Sequence, residues 1–155
     1  MANAQAMASQ FKVDLMNGLH AFGSSVIRAG TTKDSYYMAL FTVAASPGRG
    51  AGDTVYNTTG ELAGTGGYTQ GGAALTTATA PTLDSTTAIF TPSASVSWSS
   101  FTSSAAFDCA VMYNSTSATK LQVASFTFGS QSVTSGTFTL TMPANAAATA
   151  LIRLA

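Results

Sequence analysis

Phe138, Leu140 and Met142 alternate with Thr137, Thr139 and Thr141, the two-residue period of a strand with one buried and one solvated face. Val96 and Trp98 alternate with Ser95, Ser97 and Ser99 in the same way, and Phe107, Cys109, Val111 and Tyr113 repeat the period. Further strand-like runs span Tyr36 to Val43, Ala73 to Ala80, Thr86 to Thr91, Leu121 to Phe128 and Ala150 to Leu154. Their spacing of roughly ten residues, with turn residues between, predicts antiparallel strands in a sandwich or jelly roll.

Only the beginning of the chain departs from this period. Phe11, Leu15 and Leu19 recur at helical spacing, which predicts a short amphipathic helix over about residues 10–19 that ends at Asn17-Gly18, where glycine suits a left-handed cap. Residues 1–9 are small, polar and without period, so they are expected to form a mobile arm unless a partner orders them. The segment from about 46 to 72 holds nine glycines and one proline. It is too irregular for a strand and too long for a turn, and loops of this kind are functional or disordered. No composition shift marks a second domain. The expectation is one all-β domain, residues 10–155, of about eight antiparallel strands in a sandwich or jelly roll, preceded by the helix and a flexible arm.

Composition changes the picture of the surface. Charged residues are 8% of the chain against about 25% in an average domain, while Ser, Thr, Ala and Gly supply about half. Six Lys and Arg balance six Asp and Glu, and neither sign clusters, so there is no electrostatic footprint for nucleic acid or an anionic membrane. A chain near zero net charge has little colloidal repulsion, which suits a subunit that spends its life in an assembly. Residues 1–10 have neither a basic segment nor an apolar one of secretory type, and no run approaches the length of a membrane span. Synthesis in the cytoplasm is expected. Asn57-Thr58-Thr59 and Asn114-Ser115-Thr116 then read as turn chemistry, not glycosylation sites. The single Cys109 excludes an internal disulfide and is expected to be a buried, inert thiol.

The chemistry-bearing residues are too thinly spread for a catalytic centre. Glu61 is the only glutamate and His20 the only histidine. A Ser-His-Asp mechanism would need His20, and Asp14, six residues earlier, lies about 240° around a helix, so the two cannot pair from one helix. His20 itself is an ordinary helix-terminal residue or a pH-sensitive contact between subunits. Gly129-Ser130-Gln131-Ser132 reads as a connection between strands and not a nucleophile elbow. His20 and Cys109 match no zinc spacing, although Asp53 or Asp84 with loop carbonyls is a conceivable calcium site. Gly64-Thr65-Gly66-Gly67-Tyr68-Thr69 begins like a dinucleotide fingerprint but lacks the third glycine and the following helix. Tyr56, Tyr68 and Tyr113 near loops could stack on sugars. No enzymatic activity, cofactor or metal is expected.

Residues 11–22, Phe11-Lys12-Val13-Asp14-Leu15-Met16-Asn17-Gly18-Leu19-His20-Ala21-Phe22, resemble the opening of a set of small structural proteins of tailed bacteriophages, in which a helix ending in Asn-Gly leads into a strand like Tyr37-Met38-Ala39-Leu40-Phe41-Thr42. The resemblance continues through residues 58–72, through Ala110-Val111-Met112-Tyr113-Asn114-Ser115-Thr116 and Phe126-Thr127-Phe128-Gly129-Ser130-Gln131, and closes on Ala150-Leu151-Ile152-Arg153. The chain departs from that pattern at Pro47 to Gly52, which is longer, and at Gly66-Gly67, which has an extra glycine.

The resemblance implies a virion component, with head decoration preferred to tail. Its partners would be the major capsid protein and itself, as a homodimer or homotrimer, on the outer capsid surface. Nucleic acid and membrane are not among them. The candidate assembly contacts are Met7 in the arm, Phe11 and Leu15 on the helix, and Arg49 and Tyr68 in the long loop. The helix stripe must be buried on something: a capsid subunit, or the open end of its own sandwich. The alternative function is a tail- or fibre-associated protein or a carbohydrate-binding adhesion module.

Overall fold

The computed structural model describes residues 2–16, 18–22, 33–45, 47–77 and 80–154. Asn17 of the expected helix end and residues 78–79 of the expected Ala73–Ala80 strand lie outside them. Among the described residues the fold is all-β, with one short helix and three antiparallel sheets. Among the described residues no helix is long and apolar enough to cross a membrane.

The elements in chain order are β1 (Ala6–Met7), α1 (Ser9–Met16), β2 (Tyr36–Thr42), β3 (Ala73–Ala74), β4 (Thr82–Asp84), β5 (Thr87–Phe90), β6 (Val96–Phe101), β7 (Phe107–Asn114), β8 (Gln122–Gln131), β9 (Gly136–Leu140) and β10 (Ile152–Leu154). The main sheet has the order β1-β8-β7-β2-β3, a second sheet the order β10-β5-β4, and a third pairs β6 with β9. The largest core cluster draws Met38 and Leu40, Ala110 and Met112, Val123, Phe90, Trp98 and Ile152 together with Phe11 of α1, so all three sheets share it.

The alternating strands behave as their pattern requires. Val96 and Trp98 are buried while Ser97 and Ser99 are exposed, and Thr137 and Thr139 are exposed beside half-buried Phe138 and Leu140. Cross-strand pairing sets Ser97 opposite Thr139, with their hydroxyls 2.7 Å apart.

β7 does not follow its pattern. Its period groups Phe107 with Cys109, yet Phe107 belongs to the large core whereas Cys109, Val111 and Tyr113 face a second, smaller one with Ala39, Phe41 and Tyr56. The reason is a bulge: Phe41 and Thr42 pair with Cys109 and Phe107, so Asp108 is an extra residue, and an extra residue turns every side chain beyond it to the other face. β7 is buried on both faces because the Gly-rich segment folds back over its second one.

Residues 2–9 are held by the chain itself, in place of the mobile arm expected. Ala6 and Met7 pair with Ser125 and Ala124 of β8. The Asn3 side chain accepts from Arg49 N at 2.8 Å and donates to Thr42 O at 3.2 Å and Asp108 Oδ1 at 2.5 Å. Ala8 is fully buried. α1 is shorter than expected: it stops at Met16, and Gly18, at φ +69°, turns the chain. Leu19 therefore leaves the apolar stripe and is 45% exposed. The expected strand from Ala73 is reduced to Ala73–Ala74, and the connection expected at Gly129–Ser132 begins beyond Gln131, the last residue of β8.

Candidate functional site

The five candidate contact residues occupy three environments. Phe11 is fully buried, and its ring packs edge-on against His20 and Phe22 with centroids 4.8 and 5.9 Å away. The helix stripe thus lies on the chain's own core. Met7 and Leu15 are half-buried and pack against the same core.

Arg49 and Tyr68 are interior, which corrects the expectation that they face a partner. Arg49 is 1% exposed. Its guanidinium lies 4.9 Å from the centre of the Phe41 ring, Nη2 donates to Thr59 O at 3.1 Å, and Nη1 stands 3.7 Å from Asp53 Oδ1. A buried cation is tolerated only with such compensation. Tyr68 is 3% exposed. Its hydroxyl donates to Glu61 Oε1 at 2.6 Å and accepts from Leu40 N at 2.9 Å.

Glu61 organises the long loop. Oε2 accepts from Tyr56 Oη at 2.5 Å, and Oε1 accepts from Tyr68 Oη and from Gly71 N at 2.7 Å. Tyr113 Oη donates to Gly71 O at 2.7 Å, and its ring stacks on Tyr56 with centroids 4.1 Å apart. Burial first, and then the Glu61 carboxylate, push the Tyr56 and Tyr68 hydroxyls far above the ordinary tyrosine range. Burial pushes Tyr113 and Cys109 up to about 12. The loop's glycines permit this closeness. A Cβ on Gly72, at φ +74°, would stand 1.9 Å from Met38 O, and one on Gly67 would stand 2.2 Å from Ser99 O.

With their rings inside, Tyr56, Tyr68 and Tyr113 offer no face to a sugar. Sequence reasoning missed the Glu61 hub. Its one signal was an acid set between two tyrosines, Tyr56 and Tyr68, a charge whose burial would need such donors.

A second polar cluster closes the turn after α1. His20 is not helical: the turn at Gly18 returns it so that Nε2 stands 3.9 Å from Asp14 Oδ2, a meeting that helical geometry alone had ruled out. Gln10 Nε2 donates to Asp14 Oδ1 at 2.9 Å. Asp34 Oδ2 accepts from Ala21 N and Asn114 Nδ2, both at 2.8 Å. Asn114 Oδ1 accepts from Thr116 N, and Asn57 Oδ1 from Thr59 N, each at 3.0 Å. Both sequon asparagines therefore build turns.

The carboxylates are engaged as struts. Asp53 Oδ2 accepts from Gly50 N and Asp84 Oδ2 from Ala147 N. Among the described residues no group of three or more His, Cys, Asp or Glu side chains is gathered to hold a metal ion. Gly64 to Thr69 is a turn stitched by Tyr68 N to Thr65 O. Comparison with family models, with curated proteins and with solved structures finds no match to this chain.

Among the described residues the solvent-facing surface is mostly hydroxyl and apolar, with Lys33, Lys120 and Arg153 exposed on it. An open apolar cleft of about 240 Å3 lies between α1 and the β10-β5-β4 sheet, lined among others by Phe11, Leu15, Phe90 and Leu154. Leu83 is 74% and Leu154 40% exposed.

Proposed function

We propose that this chain is a non-enzymatic structural protein of a bacteriophage virion, a decoration protein that binds the assembled shell of the major capsid protein and stabilises it. The observation that carries the reading is where the charges are. Asp14, His20, Asp34, Arg49 and Glu61 are all buried and tie loops to strands. The exposed charges among the described residues are Lys33, Lys120 and Arg153, and they stand among hydroxyl-rich rows such as Ser97 with Thr139. Rows of this kind make neutral hydrogen bonds that salt does not screen.

The similarity of residues 11–22, 58–72 and 110–116 to phage structural proteins supports the virion setting. In this reading the three sheets act as one sandwich-like rigid body, and many identical weak contacts across capsid seams sum by multivalency. The carbohydrate-binding alternative is weakened by the burial of the loop tyrosines.

The test is to add the purified protein to expanded shells that lack it and count bound copies. Saturation at a fixed ratio to capsid subunits is expected. No binding to shells, with binding to tails or to host cells, would replace this reading by the alternative.

A further inference from the structure

The β10-β5-β4 sheet ends on an edge that nothing covers among the described residues. β4 pairs only with β5, through Thr82–Ile89, Leu83–Ala88 and Asp84–Thr87. β10 pairs with the other side of β5, setting Leu154 opposite Ala88. Residues directly opposite share a face, so Leu154, Ala88 and Leu83 form one apolar row that runs out to the β4 edge. Further along this face Ile152 and Phe90 are buried in the core, whereas Leu154 and Leu83 project beyond it.

We propose that the β4 edge is a self-association surface, on which a second copy of this chain pairs antiparallel about a twofold axis through Leu83. The occupant is argued from self-complementarity. A twofold axis lets one edge satisfy its own open amide and carbonyl groups, and here it continues the apolar row through Leu83 of both copies to Ala88 and Leu154 of the second. The register sets Thr82 opposite Asp84 of the second copy, so no like charges meet. The Asp84 carboxylate is moreover turned back to Ala147 N at 2.6 Å.

Pro81 has no amide to donate and ends the ladder on that side, and a twofold pairing occupies the open β4 edge of both copies, so it closes at two. A three-residue ladder is far smaller than the roughly 800 Å2 per partner of a stable interface. The dimer is therefore weak and concentration-dependent in the free protein. The proposal does not depend on attachment to a shell.

The test uses the full chain. With Leu83→Cys, the paired Cα atoms would lie about 4.5–5.5 Å apart, within disulfide range, and copper-phenanthroline oxidation traps even a weak dimer. Ser130→Cys, exposed at the end of β8, is the control for random collision. Covalent dimer is expected to form at least tenfold faster for Leu83→Cys. Sedimentation velocity of the unmodified chain should show mass rising toward a dimer with concentration, and Leu83→Asp, at an exposed position, should stay monomeric with unchanged melting temperature. Trapping no faster than the control, or association of Leu83→Asp equal to that of the unmodified chain, overturns the proposal. So does a monomer at every concentration, and in that case the open edge would be left to an extended segment of another protein.

Discussion

Tyr68 and Glu61 are joined by a 2.6 Å hydrogen bond, and because the same tyrosine oxygen accepts from Leu40 N, the contact pins the Gly-rich loop to β2. The segment expected to be the most irregular part of the chain is thereby fixed at its centre by its one glutamate.

Replacing that glutamate should loosen the loop before anything else. Glu61→Ala leaves two tyrosine hydroxyls and the Gly71 amide without their acceptor, and should cost roughly 3–5 kcal/mol. Glu61→Gln keeps the shape and one acceptor oxygen, and should cost about 1–2 kcal/mol. Urea unfolding followed by Trp98 fluorescence measures both. Equal stability of all three proteins would show that the hub is not a strut.

Alkaline pH should unfold the protein through the same groups. The folded state holds the Tyr56, Tyr68, Tyr113 and Cys109 protons more tightly than the unfolded chain does. Their contribution is fully present below the ordinary thiol and phenol values, near 8.5 and 10, and is lost as pH rises through and beyond them. Melting temperature should be flat up to about pH 8 on account of these groups and fall steeply above about pH 10. Tyrosinate absorbance should rise together with unfolding and not ahead of it.

Arg49→Ala should act on stability and not on partner binding. It removes the cation over Phe41 and leaves Asp53 without its neighbour, at a cost of about 3 kcal/mol. Thermal unfolding measures the loss. A variant as stable as the parent chain, but unable to join its assembly, would return Arg49 to the surface role that its sequence context suggested.

The amino-terminal segment should prove structural. Asn3→Ala gives up three hydrogen bonds, to Arg49, Thr42 and Asp108, and should cost about 1–2 kcal/mol. Deletion of residues 2–8 removes the edge strand as well and should cost more. Truncation therefore confuses loss of folding with loss of a partner contact, and its effect on assembly has meaning only beside a melting curve.

What was legible in the sequence follows from how each element meets solvent. The rows Val96–Trp98 and Phe138–Leu140 declare themselves because their other face is wet, so polarity alternates. β7 misleads because both of its faces are covered and the bulge at Asp108 leaves no mark in the pattern. β1 and β4 are too short, at Ala6–Met7 and Thr82–Asp84, for any period to be visible. Arg49 reads as a contact residue, and Glu61 draws no structural reading, because a charge in a glycine-rich loop is normally solvated. Their burial depends on partners distant in sequence, Phe41 for one and the tyrosines for the other. The return of His20 to Asp14 depends on the backbone turn at Gly18, which a helical projection cannot carry through.

The central claim is that the chain binds an assembled shell and strengthens it, and the most direct measurement is the melting temperature of expanded shells with and without saturating protein. The account predicts a higher shell melting temperature that rises with occupancy and levels off when the sites are full. An unchanged melting temperature at full occupancy, or no occupancy at all, would contradict it.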